Sequence, residues 1–175
     1  RNASHLIRSR SSSHRDWSDA VFNTSVNPEW THQWVLWVSV WCYALHILEE
    51  YFYDWRSWAA RTLGLTGTWQ DFFVLNGFIM VATIACAEIG WRFPMLALSL
   101  TAVWGVNAIF FHIGPTLYMR VWSPGTFTAT LLYLPVVAMV YWGAHADGVL
   151  NAPALWGSIT LGFVLMFGLV GAVRL

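Results

Sequence analysis

Lysine is absent from this sequence, and charge of either sign is scarce. Nine arginines and nine acidic residues make up 10% of 175 residues. A soluble domain carries about a quarter charged residues. So few charges cannot cover a water-facing surface. With 57% hydrophobic residues and a mean hydropathy of +0.51, the composition selects the bilayer as solvent. The arginines are scattered and the formal net charge is zero, which argues against nucleic acid as a partner. Cysteine is nearly lacking. Cys42 and Cys86 form no CxxC pattern, which disfavours a disulfide or a structural zinc site. Strand-like alternation and internal repeats are missing too, which leaves an all-α membrane bundle rather than a barrel. The length suits one such bundle and no second domain.

What is present is a polar start followed by apolar runs. Residues 1–28, as in "RSRSSSHRDWSD", have no apolar segment of the kind a signal peptide needs, and read as an extramembrane arm. Residues 29–175 read as a single transmembrane helical domain. A span needs about 20 apolar residues. Five candidates follow: 30–53, 71–91, 94–112, 126–142 and 154–173. "WRFP", "HIGP", "WSPG" and "HADGVLNAP" supply the breaks between the later ones. Residues 56–69 are too short to span and suit an amphipathic helix at the interface. Arginines near the membrane differ little between the two sides, so the orientation stays open.

The first span carries unusual chemistry. At about 100° per residue, one helix face reads Ser39, Cys42, Tyr43, His46, Glu49, Glu50 and Tyr53. His46 is spaced i,i+3 and i,i+4 from Glu49 and Glu50, so it can touch either carboxylate. The opposite face carries Trp30, Trp34, Trp37 and Trp41. An unpaired charge facing hydrocarbon costs a few kcal/mol or more, so the polar face belongs inside the bundle and the Trp face outside. A plainer account ends the helix at Leu48 and lets the carboxylates mark the exit to water. That explains the two Glu but not the histidine one turn deeper.

Other spans return to the depth of His46. Asn76 lies about one and a half turns into the second span, and His112 ends the third. Asn107 precedes His112 by five residues, about 140° away in an ideal helix. A π-bulge between them would bring them closer. His46, Glu49, Glu50, Asn76 and His112 thus form a candidate cluster from three helices. At the other end of the bundle, Glu29, His32, Glu88, Arg92, His145 and Asp147 share a side and read as interfacial charges, except Glu88, which sits about a turn inside.

"HILEE" on a first membrane helix, then "LNG", "VNAIFFHIGP" and "RVWSPG", resembles the integral membrane family named for its HXXEE motif. The resemblance covers roughly residues 34 to 130. It implies His46, Glu49, Glu50, Asn107 and His112 as site residues, and no activity. The polar arm and the Trp ladder are not features associated with that family.

Three functions fit. The first is a membrane-embedded metalloenzyme acting on a lipophilic substrate. Zinc or iron would be held by His46, Glu49 or Glu50, and His112, with a remaining carboxylate as base and Asn76 and Asn107 nearby. The second is a metal-free isomerase or cyclase using a buried Glu and His, with Tyr43, Tyr53 and Trp rings steadying a cation. The third is an accessory subunit of a larger membrane complex. Trp34, Trp37 and Trp41 belong to a ladder roughly 16 Å deep, too deep for an interfacial belt alone. That ladder would meet a lipid, a pigment or a neighbouring subunit, and the arm would help recruit one. A proton or ion pathway ranks below these, because the later spans show no polar run.

Overall fold

The computed structural model describes residues 30–173, and every regular element among them is helical. Residues 1–29, with the polar arm and Glu29, lie outside the described residues. Six helices follow one another: α1 Val35–Phe52, the short α2 Trp55–Leu63, α3 Trp69–Arg92, α4 Pro94–Met119, α5 Thr126–Ala146 and α6 Ala152–Val173. Four of them, α3 to α6, are long and apolar enough to cross a membrane. The fifth expected span, α1, falls outside that group. It has 18 residues, and His46, Glu49 and Glu50 dilute its apolar run.

Local sequence sets the boundaries. Asp54 turns the chain after α1 with φ +51, a conformation that Asp tolerates better than most residues, and its carboxylate accepts from Ser57 N–H at the start of α2. Gly64 ends α2 at φ +67. Thr68 and Asp71 form a reciprocal capping box that starts α3. Pro94 opens α4 at a position where its missing N–H costs nothing.

Two prolines sit inside helices, at Pro115 and Pro135. Each lies two residues after a π-helical segment, Ala108–Ile113 in α4 and Ala129–Tyr133 in α5. The expectation that "HIGP" closes the third span is corrected here: α4 runs on to Met119. A proline inside an α-helix leaves the carbonyl four residues earlier without its usual donor. For Pro115 that carbonyl belongs to Phe111, and the Ser123 hydroxyl donates to it at 3.2 Å. The π segment and this borrowed donor let the helix pass through the proline.

Packing places α1 between α3 and α5, and α4 against α3, α5 and α6. The α4–α6 approach is close. A Cβ on Gly162 would come within 2.5 Å of Ala102 Cβ, the kind of small-residue contact that membrane helices use. α1 lies as its pattern demands. Ser39, Cys42, Tyr43, His46, Glu49 and Glu50 are buried, while Trp34, Trp37 and Trp41 are exposed on the outer face. Because the helix continues to Phe52, the carboxylates do not mark an exit at Leu48. Tyr53 is a correction to the stripe. It caps the helix with φ −100 and is exposed.

Asp147 gathers the other end. It accepts from the His32 backbone N–H at 2.9 Å, the His32 ring at 2.7 Å and the Trp91 indole at 2.9 Å. This ties the start of α1 to the ends of α3 and α5. Glu88, Arg92 and His145 are exposed.

Candidate metal centre

The i,i+4 spacing brings Glu50 under the His46 ring, and the π turn of α4 presents His112 to the same point. Glu50 Oε1 lies 3.5 Å from His46 Nε2 and 3.4 Å from His112 Nε2. All three residues are buried, and their ligand atoms lie within 4.8 Å of one another. The two imidazoles meet edge to face, with centroids 4.7 Å apart.

These separations are too long for good hydrogen bonds, which peak near 2.9 Å. Accordingly, both Nε2 atoms are buried without a hydrogen-bond partner. The two Glu–His separations match a coordination edge. With metal–ligand bonds of about 2.0–2.1 Å, the edge of a tetrahedral site is about 3.3–3.4 Å.

Each outer nitrogen has a hydroxyl partner. His46 Nδ1 lies 2.7 Å from Thr128 Oγ1, and His112 Nδ1 lies 3.2 Å from Ser123 Oγ. The Thr128 oxygen also lies 3.3 Å from Gly125 O, and that of Ser123 lies 3.2 Å from Phe111 O and 3.3 Å from Pro124 O. A hydroxyl has one proton to give. When both protons go to these carbonyls, the hydroxyl oxygens accept from Nδ1–H, and each Nε2 lone pair faces the centre. Histidine ligands are held in this way in metal sites.

Glu49 stands apart from this trio. Its Oε1 accepts from Gly125 N–H at 3.0 Å and Phe127 N–H at 3.2 Å, and its Oε2 from Thr128 N–H at 2.7 Å. A carboxylate on the free N–H groups at a helix start is favoured by both hydrogen bonding and the helix dipole. Glu49 therefore docks α1 on the start of α5. Gly125 makes room. Its φ is +95, and a Cβ there would lie 2.6 Å from His112 Cε1 and 2.9 Å from His46 Cε1.

A cavity of about 590 Å³ adjoins the trio, within the size range of small-molecule sites. His46, Glu50, Asn76 and Asn107 line it, as do Tyr43 and Tyr133. Asn76 is held by Tyr43, whose hydroxyl donates to Asn76 Oδ1 at 2.6 Å. Asn107 Oδ1, the Trp104 indole N–H and the Tyr133 hydroxyl are buried without partners. Rings continue the wall: Tyr43 stacks on Trp104 at 4.3 Å and Trp104 on Tyr133 at 5.5 Å, and Tyr133 lies tilted against His46 at 4.3 Å.

The sequence profile of proteins of unknown function with an HXXEE motif matches residues 37–141. The chain belongs to the HXXEE family. The match runs from α1 into α5 and contains every residue of the trio and its supports, while α6 lies beyond it. No curated protein and no solved structure matches this HXXEE chain.

Of the residues expected from sequence, His46, Glu50 and His112 come together, and Asn76 and Asn107 share the cavity beside them. Glu49 faces α5, and Trp34, Trp37 and Trp41 lie on the outer surface of α1. Sequence reasoning missed Ser123, Gly125, Thr128 and Tyr133. The segment "WSPGTFT" reads only as a Pro-Gly turn before a helix start, and nothing in it points to the imidazoles.

Proposed function

We propose that this HXXEE protein is a multi-pass integral membrane protein that binds a divalent transition metal, zinc or iron, at His46, Glu50 and His112. We further propose that it acts on a lipophilic substrate held in the adjoining cavity. The observation that supports this best is the pair of buried Nε2 atoms, each without a partner and each about one coordination edge from the same carboxylate oxygen. Two His and one carboxylate are the ligands of catalytic zinc sites and of non-haem iron sites, both of which keep open positions. A metal there would supply Lewis acidity for hydrolysis, and iron would supply redox chemistry for an oxidation with dioxygen as the oxidant.

The chain's own groups have distinct tasks in this reading. Thr128 and Ser123 hold the histidines as ligands. Glu49 positions the start of α5 and is not a ligand. Asn107, Tyr133 and Trp104 line the cavity, and each carries a buried polar atom without a partner. The apolar walls admit a molecule soluble in the bilayer and exclude bulk water.

The test is metal content by mass spectrometry on protein purified without chelators. About one equivalent is expected in the wild type and in Glu49→Gln. Loss is expected in His46→Ala, His112→Ala and Glu50→Ala. A metal-free wild type would overturn the reading and leave acid–base catalysis by the same trio, or an accessory role through the exposed Trp face.

A further inference from the structure

Eight buried side-chain nitrogen and oxygen atoms lack a hydrogen-bond partner among the described residues, and six of them belong to residues lining the one cavity. Buried polar groups are nearly always paired, so this concentration marks where a ligand's polar atoms belong. Four of the six, on His46, Trp104, Asn107 and Tyr133, surround the trio. The other two are Arg56 Nε and the Trp55 indole N–H, on the short helix α2.

Arg56 is the distinctive group at that end. Its guanidinium is fixed by donation from Nη1 to Gly67 O at 3.2 Å and by the Trp69 ring at 5.6 Å. No carboxylate of the described residues lies within 4.0 Å of it. Asp71 lines the same cavity, but its Oδ2 accepts from Thr68 N–H at 2.8 Å and Thr68 Oγ1 at 2.7 Å and so serves the helix cap. Arg56 Nε is buried without a partner, and a planar guanidinium is the side chain best shaped for a carboxylate or phosphate. Leu75, Phe78, Ile79, Val103 and Leu169 also line the cavity and give it apolar wall.

We propose that the cavity takes an anionic amphiphile, its carboxylate or phosphate head held by Arg56 and Trp55 and its apolar chain reaching toward His46 and Glu50. The proposal rests on the reading of the trio as the place where a lipophilic molecule reacts, and it names that molecule's class. It also explains why α2 packs over a cavity. An arginine on a short helix between spans suits the depth of lipid head groups.

The experiment uses the full chain in detergent and displacement of a fluorescent fatty acid. Palmitate and hexadecyl phosphate are expected to bind at least about tenfold tighter than neutral hexadecanol, a difference of about 1.4 kcal/mol. Arg56→Gln should remove that preference while leaving hexadecanol unchanged, and Arg56→Lys should keep part of it. Trp55→Phe, which loses only the indole N–H, should weaken the acids severalfold, and it carries the test if Arg56→Gln fails to fold. Acetate and inorganic phosphate should not displace the probe. Equal binding of acid and alcohol by the wild type would overturn the proposal, as would a preference untouched by Arg56→Gln or displacement by inorganic phosphate alone. Metal content is read on the same samples. A metal-free wild type that keeps the acid preference would refute the metal site and not this proposal, and a metal-loaded protein without the preference would do the reverse.

Discussion

Replacing Thr128 by valine removes one hydroxyl and little else. The Glu49 contact to this residue is to its backbone N–H, at 2.7 Å, and survives the change. What is lost is the 2.7 Å partner of His46 Nδ1. A buried N–H without an acceptor costs about 1–3 kcal/mol. The ring escapes that cost by moving its proton to Nε2, where Glu50 Oε1 lies 3.5 Å away. That move occupies the lone pair a metal needs. Regaining the ligand tautomer costs the same 1–3 kcal/mol, or about 5–150-fold in affinity. Loss of a ligating histidine's outer partner typically costs 10–100-fold. Thr128→Val is therefore expected to weaken metal binding about 10–100-fold in competition with a chelator of known affinity. Thr128→Ser should restore most of it, and the thermal midpoint should move little. Nitrogen NMR of the apo protein should show the His46 proton shifting from Nδ1 to Nε2. Wild-type affinity in Thr128→Val, with no change of tautomer, would refute the reasoning that the hydroxyl sets the ligand form.

Gly125→Ala is expected to remove metal binding and destabilise the protein by at least about 2 kcal/mol, because the added methyl meets both imidazoles and the backbone holds φ +95; a thermal melt and metal analysis of the variant check this. Glu49→Gln keeps one acceptor oxygen for three N–H groups and loses the charge that strengthens them. A loss of about 2–3 kcal/mol is expected, with metal content retained, and metal loss at unchanged stability would assign Glu49 to the ligand set instead. Asp147→Asn is expected to cost about 2 kcal/mol at neutral pH. Burial alone would raise the Asp147 carboxyl, but hydrogen bonds from His32 and Trp91 outweigh it and hold its pKa below the usual value. Its stabilisation is thus present above the unfolded value near ~3.9 and lost as pH falls through the lower folded value. The gap in Tm between wild type and Asp147→Asn should hold from pH 7 to 5 and close at more acid pH, and a gap unchanged down to pH 2 would contradict this.

The helical class was legible because its signal is long-range and redundant: apolar runs with few charges have one solution in a bilayer. The buried face of α1 was legible for a related reason. His46, Glu49 and Glu50 share a face with Ser39, Cys42 and Tyr43, and hydrocarbon cannot take them. Tyr53 broke the pattern because a periodicity does not show where a helix stops. The length of α4 was hidden by Pro115, since a proline in an apolar run ordinarily ends the helix. The compensation comes from Ser123, twelve residues beyond the carbonyl it serves and across a turn, and no local rule connects the two. Thr128 and Gly125 were illegible for the same reason. Hydroxyls and glycines near "SPG" are sufficiently explained by the turn itself, and only the placement of α1 against α5 reveals that they touch imidazoles.

That placement gives the two adjacent glutamates different work. Positions i+3 and i+4 from His46 differ by about 100° around the helix. Glu50 therefore points at the two imidazoles, while Glu49 points at the start of α5. The residue that donates its backbone N–H to Glu49 is Thr128, and the same residue's hydroxyl holds the His46 ring. Docking and tautomer control thus meet in one residue through two separate groups, the backbone N–H for Glu49 and the hydroxyl for His46. The motif reads as one device: His46 and Glu50 face the centre, and Glu49 anchors the helix that makes His46 a ligand. The same logic predicts that the two glutamates cannot exchange tasks. In a Glu49→Gln, Glu50→Gln pair of single variants, the first should lose stability and keep metal. The second should lose metal and keep the α1–α5 contact.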